Sequence, residues 1–166
     1  MNSAQRTPHV RDSSDLGPGR SIAWQGGRSQ AARVRVYPRS RAVVVVELSG
    51  EIDACNAESV GQYMGNFISP PRPLVVDLTD VSFLGARGIR QLFALGDECV
   101  KAGVEWTLVV ANNLLNRLLH ITDRNNVLPV VGSLAEALRR GMACRIRSLT
   151  WKSRVKSVMC ASILST

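Results

Sequence analysis

A chain of 166 residues with 45% hydrophobic content is long enough for one buried core and leaves little for a second domain. Its formal charge of +8 sits in the tails: residues 34–140 carry 11 Lys/Arg and 11 Asp/Glu, residues 1–33 carry 5 and 2, and residues 141–166 carry 5 and none. A neutral globular part argues against a nucleic-acid-binding core, and no run of about 18 uncharged apolar residues is present to cross a membrane.

Residues 1–33 are rich in Ser, Gly, Arg and Gln without apolar periodicity, which predicts a disordered N-terminal arm. Order begins with the alternating Val34-Arg35-Val36-Tyr37, a turn at Pro38 to Arg41, and the apolar run Ala42 to Leu48: a β-hairpin entering a buried strand. Ser49 to Asp53 ends that strand. Asn56 then caps a helix with Val60, Met64, Phe67 and Ile68 on one face, stopped by Pro70-Pro71-Arg72-Pro73.

Leu74 to Leu78 is the next buried strand, and Val81 to Leu84 extends the connection to Gly85-Ala86-Arg87-Gly88. A second helix places Ile89, Leu92, Phe93, Cys99 and Val100 at helical spacing, with Gly103 just beyond its end. Trp106 to Val110 forms a strand, Leu114 to Ile121 a helix with Leu115, Leu118 and Leu119 inward, Leu128 to Val131 a short strand, and Ser133 caps a last helix to about Arg140. The order β-β-α-β-α-β-α-β-α predicts an α/β domain over 34–140, a mixed, largely parallel sheet with about four helices packed against it.

The four cysteines, Cys55, Cys99, Cys144 and Cys160, lie 44, 45 and 16 residues apart, a spacing of neither a zinc site nor a dense disulfide framework. Arg6, Arg11 and Arg20 have no apolar run behind them, so no secretory signal is read and a reducing, cytoplasmic setting is expected.

The run Leu48-Ser49-Gly50-Glu51-Ile52-Asp53, the strand Leu74-Val75-Val76-Asp77-Leu78, and Val81-Ser82-Phe83-Leu84 before a glycine-bounded helix start resemble a STAS domain of the anti-anti-sigma factor family, over about 100 residues. The resemblance implies a cytoplasmic anti-sigma factor antagonist that works by binding and needs no cofactor. Its implied partner is an anti-sigma factor of the histidine-kinase-like ATPase fold, and its implied output is release of a sigma factor.

In that family the segment after the third strand reads Phe, apolar, Asp, Ser, Ser or Ala, Gly, and the partner kinase phosphorylates the first Ser. Here it is Phe83-Leu84-Gly85-Ala86-Arg87-Gly88, with Gly85 in place of Asp and Ala86 at the phosphoacceptor position. A phosphoserine would bring roughly −1.5 to −2 charges to a helix N-terminus, and this chain has no hydroxyl there to carry them.

Three readings of Gly85, Ala86, Arg87 and Gly88 stay open. The segment is a plain turn with Arg87 solvated, or the centre of a partner-binding face that meets an acidic patch through Arg87, or an anion cradle at a helix start. Asp53 matches the family's acidic position, and it either contacts the partner or tightens the turn; Asn56 and Ser59 either contact or cap. Cys55, near a helix start, is a candidate reactive thiol, whereas Cys99 reads as core packing.

No nucleophile with a base, paired acids or metal-ligand set assembles, with His9 in the arm and His120 on a core helix, so neither an enzyme nor a metal site is expected. In the basic extension 141–166, Trp151, Val155, Val158 and Met159 fall at amphipathic spacing among Arg145, Arg147, Lys152, Arg154 and Lys156. Two readings follow: a disordered extension, or a segment that associates with anionic membrane or nucleic acid and makes the protein an adaptor. The second predicts binding that collapses between roughly 50 and 200 mM salt.

Overall fold

In the computed structural model, residues 20–24, 32–39 and 43–143 are described. Six strands, β1 (Arg20–Trp24), β2 (Ala32–Arg39), β3 (Val43–Ile52), β4 (Leu74–Leu84), β5 (Trp106–Val109) and β6 (Val130–Val131), form one sheet in sequence order. The pairs β1–β2 and β2–β3 are antiparallel, and those from β3 to β6 are parallel. Helices α1 (Ala57–Gly65), α2 (Ala86–Ala102) and α3 (Asn113–Thr122) connect the parallel strands, and a further helix, α4, spans 134–143.

Successive right-handed crossovers between neighbouring strands in one direction across a sheet must all lie on the same side. Accordingly Val60 and Met64 of α1, Ile89, Leu92 and Cys99 of α2, and Leu115 and Leu119 of α3 share one core with Val44, Val46 and Leu48 of β3. The helix α4 follows the last strand and is not a crossover, so it is free to cover the other face. There Ala137, with Leu134 and Leu138 beside it, packs on Val43, Val45, Val75, Val109 and Val131. Coverage on both faces is why β3 opens with four consecutive valines, each contributing roughly 1.5–3 kcal/mol when fully buried.

The predicted α/β architecture and its mixed sheet are therefore present, with several corrections. The expected disordered arm over 1–33 gives way at Arg20–Trp24, which pairs with β2, and at Ala32, where β2 begins. Five residues set in a stretch rich in Ser, Gly, Arg and Gln carry little strand signal; the open edge of β2 supplies the backbone partners, and Ile22 packs against the core. Residues 1–19 and 25–31 lie outside the described residues.

Pro38 and Arg39, expected in a turn, continue β2, and β3 runs on to Ile52 rather than ending after Leu48. Val81 to Leu84, expected as a connection, belongs to β4, whose pairing with β3 slips between Glu47 and Ser49 and again between Gly50 and Glu51. Each slip adds a residue to β4 and turns Val81 and then Leu84 inward.

Val100 and Leu118, expected in the core, are exposed, each on a flank of its helix rather than beneath it. The last helix, expected to about Arg140, runs to residue 143, and Gly141 is buried where an added Cβ would lie 3.5 Å from both Val43 and Pro73. The amphipathic segment from Trp151 to Met159, with Cys144 and Cys160, lies outside the described residues. Among the described residues no helix is long and apolar enough to cross a membrane.

Candidate partner-binding surface

The C-terminal ends of β3 and β4 lie side by side, and each delivers its chain to the start of a helix. The Gly85 N–H donates to the Ile52 carbonyl at 2.8 Å, which fixes the start of α2 against the exit from β3. Gly50 has φ +85°, a conformation that favours glycine, and the Ser82 hydroxyl donates to its carbonyl at 3.1 Å.

From Asp53 to Asn56 the chain is a tight polar turn. One carboxylate oxygen of Asp53 accepts from the backbone N–H of Cys55 at 2.8 Å and of Asn56 at 3.2 Å. The Asn56 side chain accepts from the Asp53 N–H at 3.0 Å and donates to the Glu51 carbonyl at 2.9 Å. Asn56 therefore occupies the N-cap position of α1 without capping it; at 2% exposure it bolts the turn from inside. Asp53 takes the turn-tightening role open to it, while Ala54 and Cys55 face solvent.

The start of α2 has no side-chain cap and no acidic residue in its first turn. Gly85 is extended (φ −76°, ψ 168°), and a Cβ there would make only ordinary contacts, 3.5 Å from the Ile52 carbonyl and from the Phe83 ring. At Gly88 a Cβ would come within 2.5 Å of Leu84 Cδ1 and 3.0 Å of Ile52 Cγ2, so glycine there is what lets α2 lie on the strand ends. Ala86 and Arg87 are exposed, and the Arg87 guanidinium donates to the Ala54 carbonyl at 3.3 Å.

Of the expected site residues, Asp53, Gly85, Ala86 and Arg87 gather on one surface at this end of the sheet, while Asn56 and Gly88 lie beneath it. Sequence reasoning missed Phe83, a half-exposed aromatic ring beside the α2 start. Strand alternation gave no sign of it, because the second slip in β4 sets both Ser82 and Phe83 outward.

A family model described as the STAS domain matches residues 34–137. The chain belongs to the STAS domain family.

Osmosensory protein A of Mycobacterium tuberculosis (strain ATCC 25618 / H37Rv) is 32% identical over 124 residues, covering 73% of this chain and 75% of the relative. Anti-sigma-F factor antagonist RsfA of the same strain is 30% identical over 98 residues, covering 57% and 77%. The crystal structure of an anti-sigma factor antagonist from Mycobacterium paratuberculosis superposes with a TM-score of 0.59 at 30% identity, covering 66% of this chain and 92% of that one. The anti-sigma factor antagonist SpoIIAA in its unphosphorylated form, with a TM-score of 0.54 at 16% identity, shares the fold over 64% of this chain and 94% of its own.

The two cysteines of this STAS domain occupy opposite environments. Cys55 is exposed on the candidate surface, whereas Cys99 is buried beneath α2, its thiol pushed up to about 11 by burial and secondarily by the nearby Glu98 carboxylate. Among the described residues no group of three or more His, Cys, Asp or Glu is placed to hold a metal ion.

Proposed function

We propose that this STAS domain is an anti-sigma factor antagonist that binds its partner through the surface formed by the ends of β3 and β4 and the start of α2. Its partner is an anti-sigma factor of the histidine-kinase-like ATPase fold, and sequestering it releases a sigma factor. The reading follows from the family, the anti-sigma antagonists among its relatives, and a surface in which exposed Phe83 and Arg87 flank an exposed Ala86 methyl.

Ala86 is the observation that sets the mechanism. With no hydroxyl at the α2 start, a kinase partner cannot install a phosphate there, and Arg87 holds a fixed positive charge instead. The protein acts by binding, in the cytoplasm, and is not switched at the family's usual site. Arg87 selects for an acidic patch on the partner.

The test mixes the full chain with each ATPase-fold anti-sigma factor of its own organism, with and without ATP, and follows complex formation by calorimetry. A complex that ATP does not dissolve, and that Ala86→Glu disrupts, is the expected result. Absence of a complex with every such protein, or phosphate transfer to residues 32–143, sinks the proposal.

A further inference from the structure

Helix α3 buries one face and turns a second apolar row to solvent. Leu115 and Leu119 join the core, whereas Leu114, Leu118 and Ile121 are 76%, 39% and 71% exposed. The exposed three recur at i, i+4 and i+7, so they line up along one side of the helix over about 10 Å. A single exposed leucine needs no explanation, but a row of three large apolar side chains on one helix marks a binding surface.

The charge beside this row has one sign. Arg117 follows Leu114 by three residues and precedes Ile121 by four, so its exposed guanidinium adjoins the row, and Arg124 is exposed just past the helix end. Asp123 is the only acidic residue between Glu105 and Glu136. It is 8% exposed, and both carboxylate oxygens are engaged, one accepting from the Val127 N–H at 2.9 Å and the other from the Leu128 N–H at 2.7 Å. The outer side of α3 thus offers an apolar row with a basic border and no exposed carboxylate.

We propose that this side of α3 is a peripheral docking site for an anionic lipid surface. Helices of this pattern lie in the headgroup layer, with apolar side chains at the acyl boundary and cations among the phosphates. A specific protein interface takes roughly 20–30 residues a side with matched shapes, and three side chains on a ten-residue helix fall short of it, whereas a lipid surface needs no matched shape. An antiparallel pairing of α3 with a second copy about a two-fold axis sets Arg117 against Arg117, which like charge opposes. The chain as a whole carries +8, so an anionic bilayer attracts it before contact. With so small an apolar area the attachment is reversible and depends on both the row and its basic border.

Co-sedimentation of the full chain with vesicles at about 100 mM salt tests this, with phosphatidylglycerol mixed into phosphatidylcholine in one set and phosphatidylcholine alone in the other. The parent should partition to the anionic vesicles at least about tenfold more strongly than to the neutral ones. Leu114→Ser/Ile121→Ser should lower that partition by about tenfold or more, since two side chains no longer enter the lipid. Arg117→Glu should lower it by about threefold or more. Both variants should keep the parent's urea midpoint, because the substituted side chains are exposed. Absence of partition to the anionic vesicles overturns the proposal. So does partition that Leu114→Ser/Ile121→Ser leaves unchanged, which assigns attachment to the basic segments outside α3. In ultracentrifugation without lipid the parent should be a monomer; a dimer that Leu114→Ser/Ile121→Ser dissolves gives the row to a second copy and overturns lipid docking.

Discussion

Arg87, in the first turn of α2, donates a hydrogen bond to the carbonyl of Ala54, in the turn before α1, across 3.3 Å. The bond ties together two loops that the sequence separates by 33 residues, and it holds a guanidinium at a helix start, where a positive charge is mildly unfavourable. A residue kept there against the helix dipole is well placed to meet a partner. Arg87→Glu should lower the affinity for the anti-sigma factor by about tenfold or more by presenting like charge to an acidic patch. The urea midpoint should barely move, because an exposed hydrogen bond contributes little. Calorimetry beside a urea titration separates the two effects, and unchanged affinity removes Arg87 from the interface.

Gly88 and Ala86 are two residues apart and should respond oppositely to a small added group. The Cβ of Gly88→Ala would press on Leu84 and Ile52, and overpacking of this kind costs about 1–3 kcal/mol. Ala86→Ser adds a hydroxyl to an exposed position and should stay within about 0.5 kcal/mol of the parent. Equilibrium urea denaturation of both variants checks the pair. A neutral Gly88→Ala would mean that α2 can lift off the strand ends without loss.

Asn56 carries the Asp53–Asn56 turn from the inside. Asn56→Ala removes the partners of the Asp53 N–H and the Glu51 carbonyl, and groups left unpaired in this part-buried setting should cost about 1 kcal/mol, the low end of the penalty for buried groups. Asp53→Asn keeps a side-chain oxygen for the Cys55 and Asn56 N–H groups and should cost less than Asn56→Ala. Thermal unfolding of the two variants gives the order, and the reverse order would make Asp53, not Asn56, the main support of the turn.

The folded Cys99 thiol stays protonated up to about 11, whereas the ordinary value of a cysteine thiol is 9.0. Between those values the unfolded chain loses the proton and the folded chain keeps it, so the unfolded state binds fewer protons and stability falls as pH rises. Below pH 9.0 this contribution is constant. In the native protein at pH 8, Cys55 should react with iodoacetamide well before Cys99, and mass spectrometry of the alkylated peptides shows the order. Cys99→Ala should flatten the fall in stability across this window. Early alkylation of Cys99 would mean that α2 opens far more readily than its burial implies.

Much of the fold is legible in the sequence because burial and local backbone chemistry write it there. Val43 to Val46 announces a strand covered on both faces, Gly103 adopts the left-handed conformation that ends α2, and the Ser133 hydroxyl accepts the Glu136 N–H at the start of α4. At the candidate surface, Phe83 to Gly88 carries the family resemblance, and the sequence itself gives residue 86 as an alanine.

Composition, periodicity and turn residues thus determined an alternating α/β domain, neutral in its core and basic in its tails, while its STAS kinship came from the resemblance of particular motifs. These are local properties, set by each residue and its near neighbours along the chain. Tertiary structure alone decided that Arg20–Trp24 joins the sheet, since a weak strand is made by the edge it pairs with. It decided that Asn56 lies inside and Phe83 outside, since two slips in the β3–β4 pairing reset which side chains face the core.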